Sequence, residues 1–296
     1  YLDQETVSNP RIAPDGQRIV YTRGWIDKMN DRRASSIWIM NADGTRNHFL
    51  VDGSGPTWSP DGTRIAFTAD GEPEGSQIFV RWMDDEGATT QITRLEKSPS
   101  SIAWSPDGNT ISFTMNVDVE PSWTVNPPGR PEGATWTAAP KVVTRADYRQ
   151  DRVGFVDDGW RHIFVVPAEG GTPRQLTDGE WNHSAGAWTS DGAELLFSSL
   201  RTEDAEFSYR ESEIYSVDVG TEAITQLTQR AGTDTGAEPS PVFHAYPPVA
   251  QPGSTNEMSI PSTATSSGGP SPVAAESRSY RNSRTMTPSA PDLAAS

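Results

Sequence analysis

The chain has 296 residues, 40 Asp plus Glu against 24 Lys plus Arg, a net charge of −16 and no cysteine. So acidic a surface repels phosphate backbones, which removes nucleic acid from the expected partners, and the lack of cysteine excludes disulfide frameworks, thiolate metal sites and cysteine nucleophiles. No apolar run approaches the ~18 residues of a spanning helix, so no membrane partner is expected.

In chain order, the first unit opens on the turn Ala13-Pro14-Asp15-Gly16 and the alternating run Arg18-Ile19-Val20-Tyr21-Thr22. An elaboration over 24–36 follows, then Ile37-Trp38-Ile39-Met40, the turn Asp43-Gly44 and Phe49-Leu50-Val51. The second unit repeats this text as Trp58, Ser59-Pro60-Asp61-Gly62, Arg64-Ile65-Ala66-Phe67-Thr68, Ile78-Phe79-Val80 and Thr90-Gln91-Ile92-Thr93. The third has Trp104, Ser105-Pro106-Asp107-Gly108, Thr110-Ile111-Ser112-Phe113-Thr114, a long insert over 117–161, Ile163-Phe164-Val165-Val166 and Arg174-Gln175-Leu176-Thr177. The fourth has Trp188, Thr189-Ser190-Asp191-Gly192, Glu194-Leu195-Leu196-Phe197-Ser198, Ile214-Tyr215-Ser216-Val217 and Thr225-Gln226-Leu227-Thr228. A fifth begins at Glu238-Pro239-Ser240-Pro241, where Val242 stands in place of Asp-Gly and a strand.

Period-2 alternation marks the runs as half-buried strands, and Asp-Gly or Gly-Gly between them supplies the positive φ of hairpin turns. Counting the strand that carries Trp, each unit has four strands. A four-stranded sheet of this size cannot bury both faces alone, and radial stacking solves that. The expected fold is therefore an all-β propeller of four-stranded antiparallel blades, four complete and a fifth begun, an incomplete ring. The blades fall at about 9–53, 55–97, 101–179 and 184–230 within a propeller of residues 1–241. Asp15, Gly16, Asp61, Gly62, Asp107, Gly108, Asp191 and Gly192 are then structural turn residues, with Pro presetting φ, Asp capping the turn and Gly taking the left-handed geometry. The repeated Trp and Phe are expected in the core.

From 242 to 296 the chain carries Pro, Ser, Thr and Ala, with no tryptophan, no net charge and no periodicity. It lacks the apolar surface to offset ordering entropy and is expected to be disordered. A fused or out-of-frame extension would produce such a break, and so would a natural disordered one.

The chemistry-bearing motifs are few. No G-x-S-x-G nucleophile elbow occurs, no H-E-x-x-H, no metal-binding histidine pair and no glycine-rich phosphate cradle, so no catalytic residue, metal or cofactor is expected. His183 beside Ser184 is an adjacency and not a triad, and a surface-loop histidine is expected there. Asp157-Asp158 lacks the EF-hand pattern and is taken as a solvated acidic turn. The insert concentrates what remains: Arg145, Asp147, Tyr148, Arg149, Asp151, Asp157, Asp158 and Trp160 are the candidate substrate contacts, accompanied by Arg152, Phe155 and Arg161. Acids there could hold a peptide's amino terminus while arginines hold a carboxylate. The alternative is an edge hairpin whose charges face water.

The repeat text resembles the TolB-type, WD-like (PD40) propeller repeat. More narrowly, Thr144-Arg145-Ala146-Asp147-Tyr148-Arg149, Gly154-Phe155-Val156-Asp157-Asp158-Gly159 and Arg161-His162-Ile163-Phe164-Val165-Val166, leading into Gly170-Gly171-Thr172-Pro173-Arg174-Gln175-Leu176-Thr177, are similar to the amino-terminal propeller of prolyl oligopeptidase family serine peptidases, in the acylaminoacyl-peptidase and dipeptidyl-peptidase branch. The opening Val7-Ser8-Asn9-Pro10-Arg11-Ile12-Ala13-Pro14-Asp15-Gly16 resembles the start of those propellers. The resemblance implies a noncatalytic, substrate-gating propeller whose partners are short peptides and an α/β-hydrolase domain that holds the nucleophile. That domain is absent from this sequence, so the chain is expected to be inactive alone. It also implies seven or eight blades, so an incomplete ring would expose blade edges open to self-association. A periplasmic TolB-like protein-interaction propeller without enzymatic role is the alternative, and the location, cytoplasmic or periplasmic, is left open.

Overall fold

The computed structural model describes residues 3–84, 87–119, 129–137, 143, 146, 148–151, 154–156, 159–205, 207–208 and 211–240. The tail over 242–296 and Pro241 of the expected fifth turn lie outside the described residues, and residues 238–240 are in no strand. The secondary structure is all β. Strands β1 (Thr6–Ile12), β2 (Arg18–Asp27), β3 (Arg32–Asn41) and β4 (His48–Asp52) form the first antiparallel meander. Strands β5 (Ser54–Trp58), β6 (Arg64–Gly71), β7 (Gly75–Trp82) and β8 (Thr89–Gln91) form the second. The third contains β9 (Ser100–Trp104), β10 (Thr110–Val117), β13 (Trp160–Pro167) and β14 (Arg174–Gln175), with a two-stranded hairpin, β11 (Arg149–Gln150) and β12 (Gly154–Phe155), between its middle strands. Strands β15 (Ala187–Trp188), β16 (Glu194–Ser199), β17 (Glu213–Asp218) and β18 (Ile224–Gln226) complete the fourth. The molecule is a β-propeller of such blades.

The middle strands of each blade meet in one register. Tyr21 faces Trp38, Phe67 faces Phe79, Phe113 faces Phe164 and Phe197 faces Tyr215. Three of these pairs stack, with ring centroids 5.8, 5.4 and 5.6 Å apart, the cross-strand contact that stabilises a pleated pair. Residues 24–36, expected as a loop elaboration, instead lengthen the β2–β3 ladder as far as Asp27 opposite Arg32, because alternation continues through Trp25 and the Asp27 carboxylate accepts from Asn30 at the tip.

The core lies between blades. Val20, Ile37 and Ile39 pack with Trp58, Ile65 and Phe67 of the next blade; Ala66, Ile78 and Val80 pack with Trp104, Ile111 and Phe113; Ile163, Val165 and Leu176 pack with Trp188, Leu195 and Phe197. Ile65 and Phe67 thus face one neighbour while Ala66 faces the other. Strand alternation puts both sheet faces to use, which is why a blade is stable only in a stack.

A polar rung crosses each of these layers. The Trp58 indole N–H donates to Arg11 O at 3.1 Å, Trp104 to Thr57 O at 3.0 Å and Trp188 to Ala103 O at 3.3 Å. The inner strands carry another device that the repeat text hides. Asn9, Gly55 and Ser101, at equivalent places in three blades, have φ of 51°, 64° and 56°, and the inner-strand ladders slip register beside them.

Candidate functional site

The four SPDG-type turns join the inner strand of each blade to its second strand, so all four lie at the same end of the blades. In each, the glycine N–H donates to the carbonyl three residues earlier and its φ lies between 70° and 72°. The Ser59 hydroxyl accepts the Arg64 N–H at 2.9 Å and donates to Asp61 at 2.5 Å; Ser105 with Asp107, and Thr189 with Asp191, repeat the arrangement. These hydroxyl donors hold Asp61 down at about 2 and lower Asp107 and Asp191. Ala13 has no hydroxyl, and Asp15 accepts from the Gln17 N–H. Ionised acceptors consumed by their own turns have no proton to trade with a substrate.

The opposite end of the blades carries the elaborations: the long β2–β3 hairpin and the β11–β12 insert. The insert rejoins the blade at Gly159, whose φ of +147° and position 2.4 Å from Val117 O, measured to an added Cβ, admit no side chain. On the insert, Val156 N–H donates to Tyr148 O at 2.9 Å, closing the short hairpin, and the Tyr148 and Phe155 rings lie 6.1 Å apart on its exposed side.

Beneath the hairpin lies a cleft of about 480 Å³. Its polar wall is built by Arg149, Gln150, Asn116, Arg161 and Asn182, with Met115 and Val156 as apolar wall and Ser98 and Ser100 as hydroxyls. Asn116 and Arg161 are direct cross-strand partners on β10 and β13. Among the described residues the lining holds two arginines and no carboxylate. Asn182 Oδ1 accepts the Arg161 N–H at 2.9 Å, which leaves the amide NH₂ as that side chain's remaining polar end.

The floor of this wall is fixed by a buried polar cluster. His183, the residue after Asn182, is fully buried, which corrects the expectation of a surface-loop histidine; it bridges to Ser199 of the fourth blade and is packed between that blade and β13. Its N–H and its Nδ1 both meet Arg161 O, at 2.9 and 3.0 Å, and its Nε2 meets Arg201 Nη1 at 2.8 Å. A carbonyl on one side and a guanidinium donor on the other fix the tautomer: Nδ1 carries the proton and Nε2 accepts. Burial, together with the neighbouring His162 and Arg201, pushes the His183 pKa down to about 4 against the opposing hydrogen bond to Arg161 O, and burial also lowers that of His162, whose ring lies 5.1 Å away. Arg201 in turn stacks on Trp181 at 4.6 Å. Ser184 Oγ accepts the Ser198 N–H, so it is engaged with the backbone and not with the His183 ring.

Of the residues singled out in the sequence, Arg149 lines the cleft, Tyr148 and Asp151 are exposed on the hairpin, and Trp160 begins β13 opposite Val117. Arg145, Asp147, Asp157 and Asp158 lie outside the described residues. Arg161, Asn116, Asn182, Ser98 and Ser100 were not among the candidate contacts. The first two were accessible by counting outward from the aromatic pair: if Phe113 faces Phe164, antiparallel pairing sets Asn116 against Arg161. Among the described residues no group of three His, Asp or Glu side chains could hold a metal ion.

Residues 132–246 match the family described as the Dipeptidyl peptidase IV (DPP IV) N-terminal region. Over 203 residues the chain is 27% identical to the protein named Uncharacterized peptidase YuxL of Bacillus subtilis, an alignment spanning 67% of this chain and 30% of that protein. The uncomplexed acylaminoacyl peptidase of Pyrococcus horikoshii shares the fold with a TM-score of 0.58 at 18% identity, over 78% of this chain and 33% of that one. Puromycin hydrolase does so with a TM-score of 0.51 at 13% identity, over 80% of this chain and 33% of its own. The chain therefore spans about a third of the length of the proteins it resembles. Repeat text, blade architecture and family match point the same way: the chain carries a β-propeller similar to the amino-terminal propellers of prolyl oligopeptidase family peptidases.

Proposed function

We propose that this propeller is the noncatalytic, substrate-filtering part of a serine peptidase, working beside an α/β-hydrolase domain that carries the nucleophile. The observation that carries this reading is the concentration of elaborations at one end of the blades. The turn end is built from short, self-satisfied turns, whereas the other presents an exposed aromatic hairpin over a polar cleft. A long insertion on a rigid scaffold is where recognition collects. In this reading the hairpin restricts which peptides reach the hydrolase domain, and Tyr148, Arg149, Asp151 and Trp160 are the described residues we assign to contact them. Arg145, Asp147, Asp157 and Asp158 belong to the same proposed surface by sequence.

The test is made in a peptidase in which this propeller is joined to its hydrolase domain. Replacing residues 143–158 by a short glycine linker is expected to raise kcat/KM for long, unstructured peptides relative to dipeptide and tripeptide substrates. An unchanged ratio across peptide lengths, and unchanged kcat/KM for all peptides on Tyr148→Ala with Asp151→Ala, would remove the reading.

A further inference from the structure

We infer that the cleft between the β11–β12 hairpin and the third blade is a carboxylate-binding subsite for peptides, with Arg149 and Arg161 as its anchors. The inference rests on the peptide-filter reading and adds to it the chemical class of what is held. Its first support is charge. The protein carries 40 acids against 24 Lys plus Arg, yet the described residues of the lining include two arginines and no carboxylate. Over most of the surface an anion is repelled; here two arginines line one cleft, each guanidinium a fork of N–H donors that fits a carboxylate. Neither has an acidic partner among the described residues.

The second support is the donor set around them. The Asn182 amide has its oxygen turned to the Arg161 N–H, so its NH₂ is the end left for a ligand, and Asn116, Gln150, Ser98 and Ser100 supply further hydrogen-bonding groups. Met115 and Val156 give an apolar strip against which a peptide side chain or backbone methylene can lie. About 480 Å³ accommodates a terminal residue or two of a peptide.

The third support is preorganisation. Arg161 does not sit on a loose loop. Its N–H is held by Asn182, its carbonyl by both the N–H and the Nδ1–H of buried His183, and its strand by Asn116 across the ladder. The His183 ring is fixed from its other side by Arg201, itself stacked on Trp181. His183 and Arg201 are accordingly positioning residues: they set the backbone from which Arg161 reaches into the cleft. Arg149 is contributed to the lining by β11 of the insert.

The experiment uses the 296-residue chain and isothermal titration calorimetry. The probes are N-acetyl-Gly-Gly-Glu with free carboxylates and the same tripeptide with both carboxylates converted to amides. The carboxylate form is expected to bind and the diamide to bind at least ~10-fold more weakly, with the difference shrinking as salt is raised through the range where the Debye length falls below ~8 Å. Arg161→Ala and Arg149→Ala are each expected to weaken the carboxylate probe by ~10-fold or more, while leaving the diamide unchanged. Asn116→Asp, which places a carboxylate opposite Arg161 without shortening a side chain, is expected to weaken the acidic probe alone and guards against an arginine variant that fails to fold. Equal binding of acid and diamide, or wild-type binding of the acid by a folded Asn116→Asp chain, overturns the inference. Failure here with an altered length preference in the hairpin-deleted peptidase would sink the carboxylate subsite and leave the filter reading intact; binding here with an unchanged length preference would do the reverse.

Discussion

His183 shows how one residue ties a buried cluster to the surface. Its pKa is pushed from 6.5 down to about 4, chiefly by burial. At neutral pH both the folded and the unfolded chain hold it uncharged. As pH falls, the unfolded chain takes the proton first, near 6.5, so the folded state loses stability progressively until the folded group protonates near 4. At ~1.4 kcal/mol per unit the loss from this one group approaches ~3 kcal/mol. His162, also lowered by burial, acts in the same direction. Urea midpoints measured between pH 7.5 and pH 4 are expected to fall for the wild type and to flatten in His183→Gln, whose stability at pH 7.5 is itself reduced by the lost contacts to Arg161 O and Arg201. Below pH 4 a second decline follows from Asp61: its folded value near 2 means that its contribution is complete above 3.8 and is lost as the pH approaches 2. A flat wild-type profile between pH 7.5 and 4 would contradict the assigned neutral tautomer.

At the scale of the element, the joint between the second and third blades is the best furnished. Arg64, first residue of β6, lies between the Trp82 and Trp104 rings at 5.0 Å from each and donates to Gly108 O of the next blade's turn at 2.8 Å. Glu169, from the third blade, reaches it at 3.1 Å but is largely exposed, so that pair adds little. Arg18 makes the same reach with a poorer fit: 5.0 Å over Trp58 and 3.4 Å to Gly62 O. The third and fourth blades put Thr110 and Glu194 in that place. Arg64→Met is expected to lower stability by ~2 kcal/mol and Arg18→Met by less than ~1 kcal/mol, because the first loses two stacked indoles and a short hydrogen bond and the second one indole and a long bond. Chemical denaturation of the two variants checks the order; equal losses would mean that the repeated arginine acts only through general charge. The indole rungs, by contrast, occur at all three joints and were invisible as hydrogen bonds in the repeat text, although the tryptophans themselves were the repeat's most visible mark.

For the whole propeller unit, the outer faces of the first and fourth blades have no neighbour of their own kind among the described residues. Ile12 occupies the place taken by Trp58, Trp104 and Trp188 in the other inner strands; those indoles are 7–8% exposed, whereas Ile12 is 66% and Val7 68% exposed. On the fourth blade, Leu227 is also exposed. Apolar side chains in blade-joining positions favour association with another blade surface, and a second copy of the chain is the partner always at hand. Sedimentation velocity of the purified chain is expected to show concentration-dependent association that Ile12→Glu weakens. A single species at every concentration, indifferent to that substitution, would refute the expectation.

The sequence by itself determined the architecture, since four copies of a turn with fixed Pro, Asp and Gly chemistry, each followed by period-2 strands, admit stacked antiparallel blades and little else. It located the insert and placed Arg149 there, because insertion length is a one-dimensional property. It did not reveal that His183 is buried, that Asn182 and Ser100 share a wall with Arg161, or that residues 24–36 extend a ladder. Those facts depend on which blades press together and on register carried across more than 80 residues of chain, as between Ser100 and Asn182 or Ala103 and Trp188. Local propensity fixes a strand and its turn; only the packing of one sheet against the next decides which polar group loses water and which pair of arginines ends up lining the same cleft.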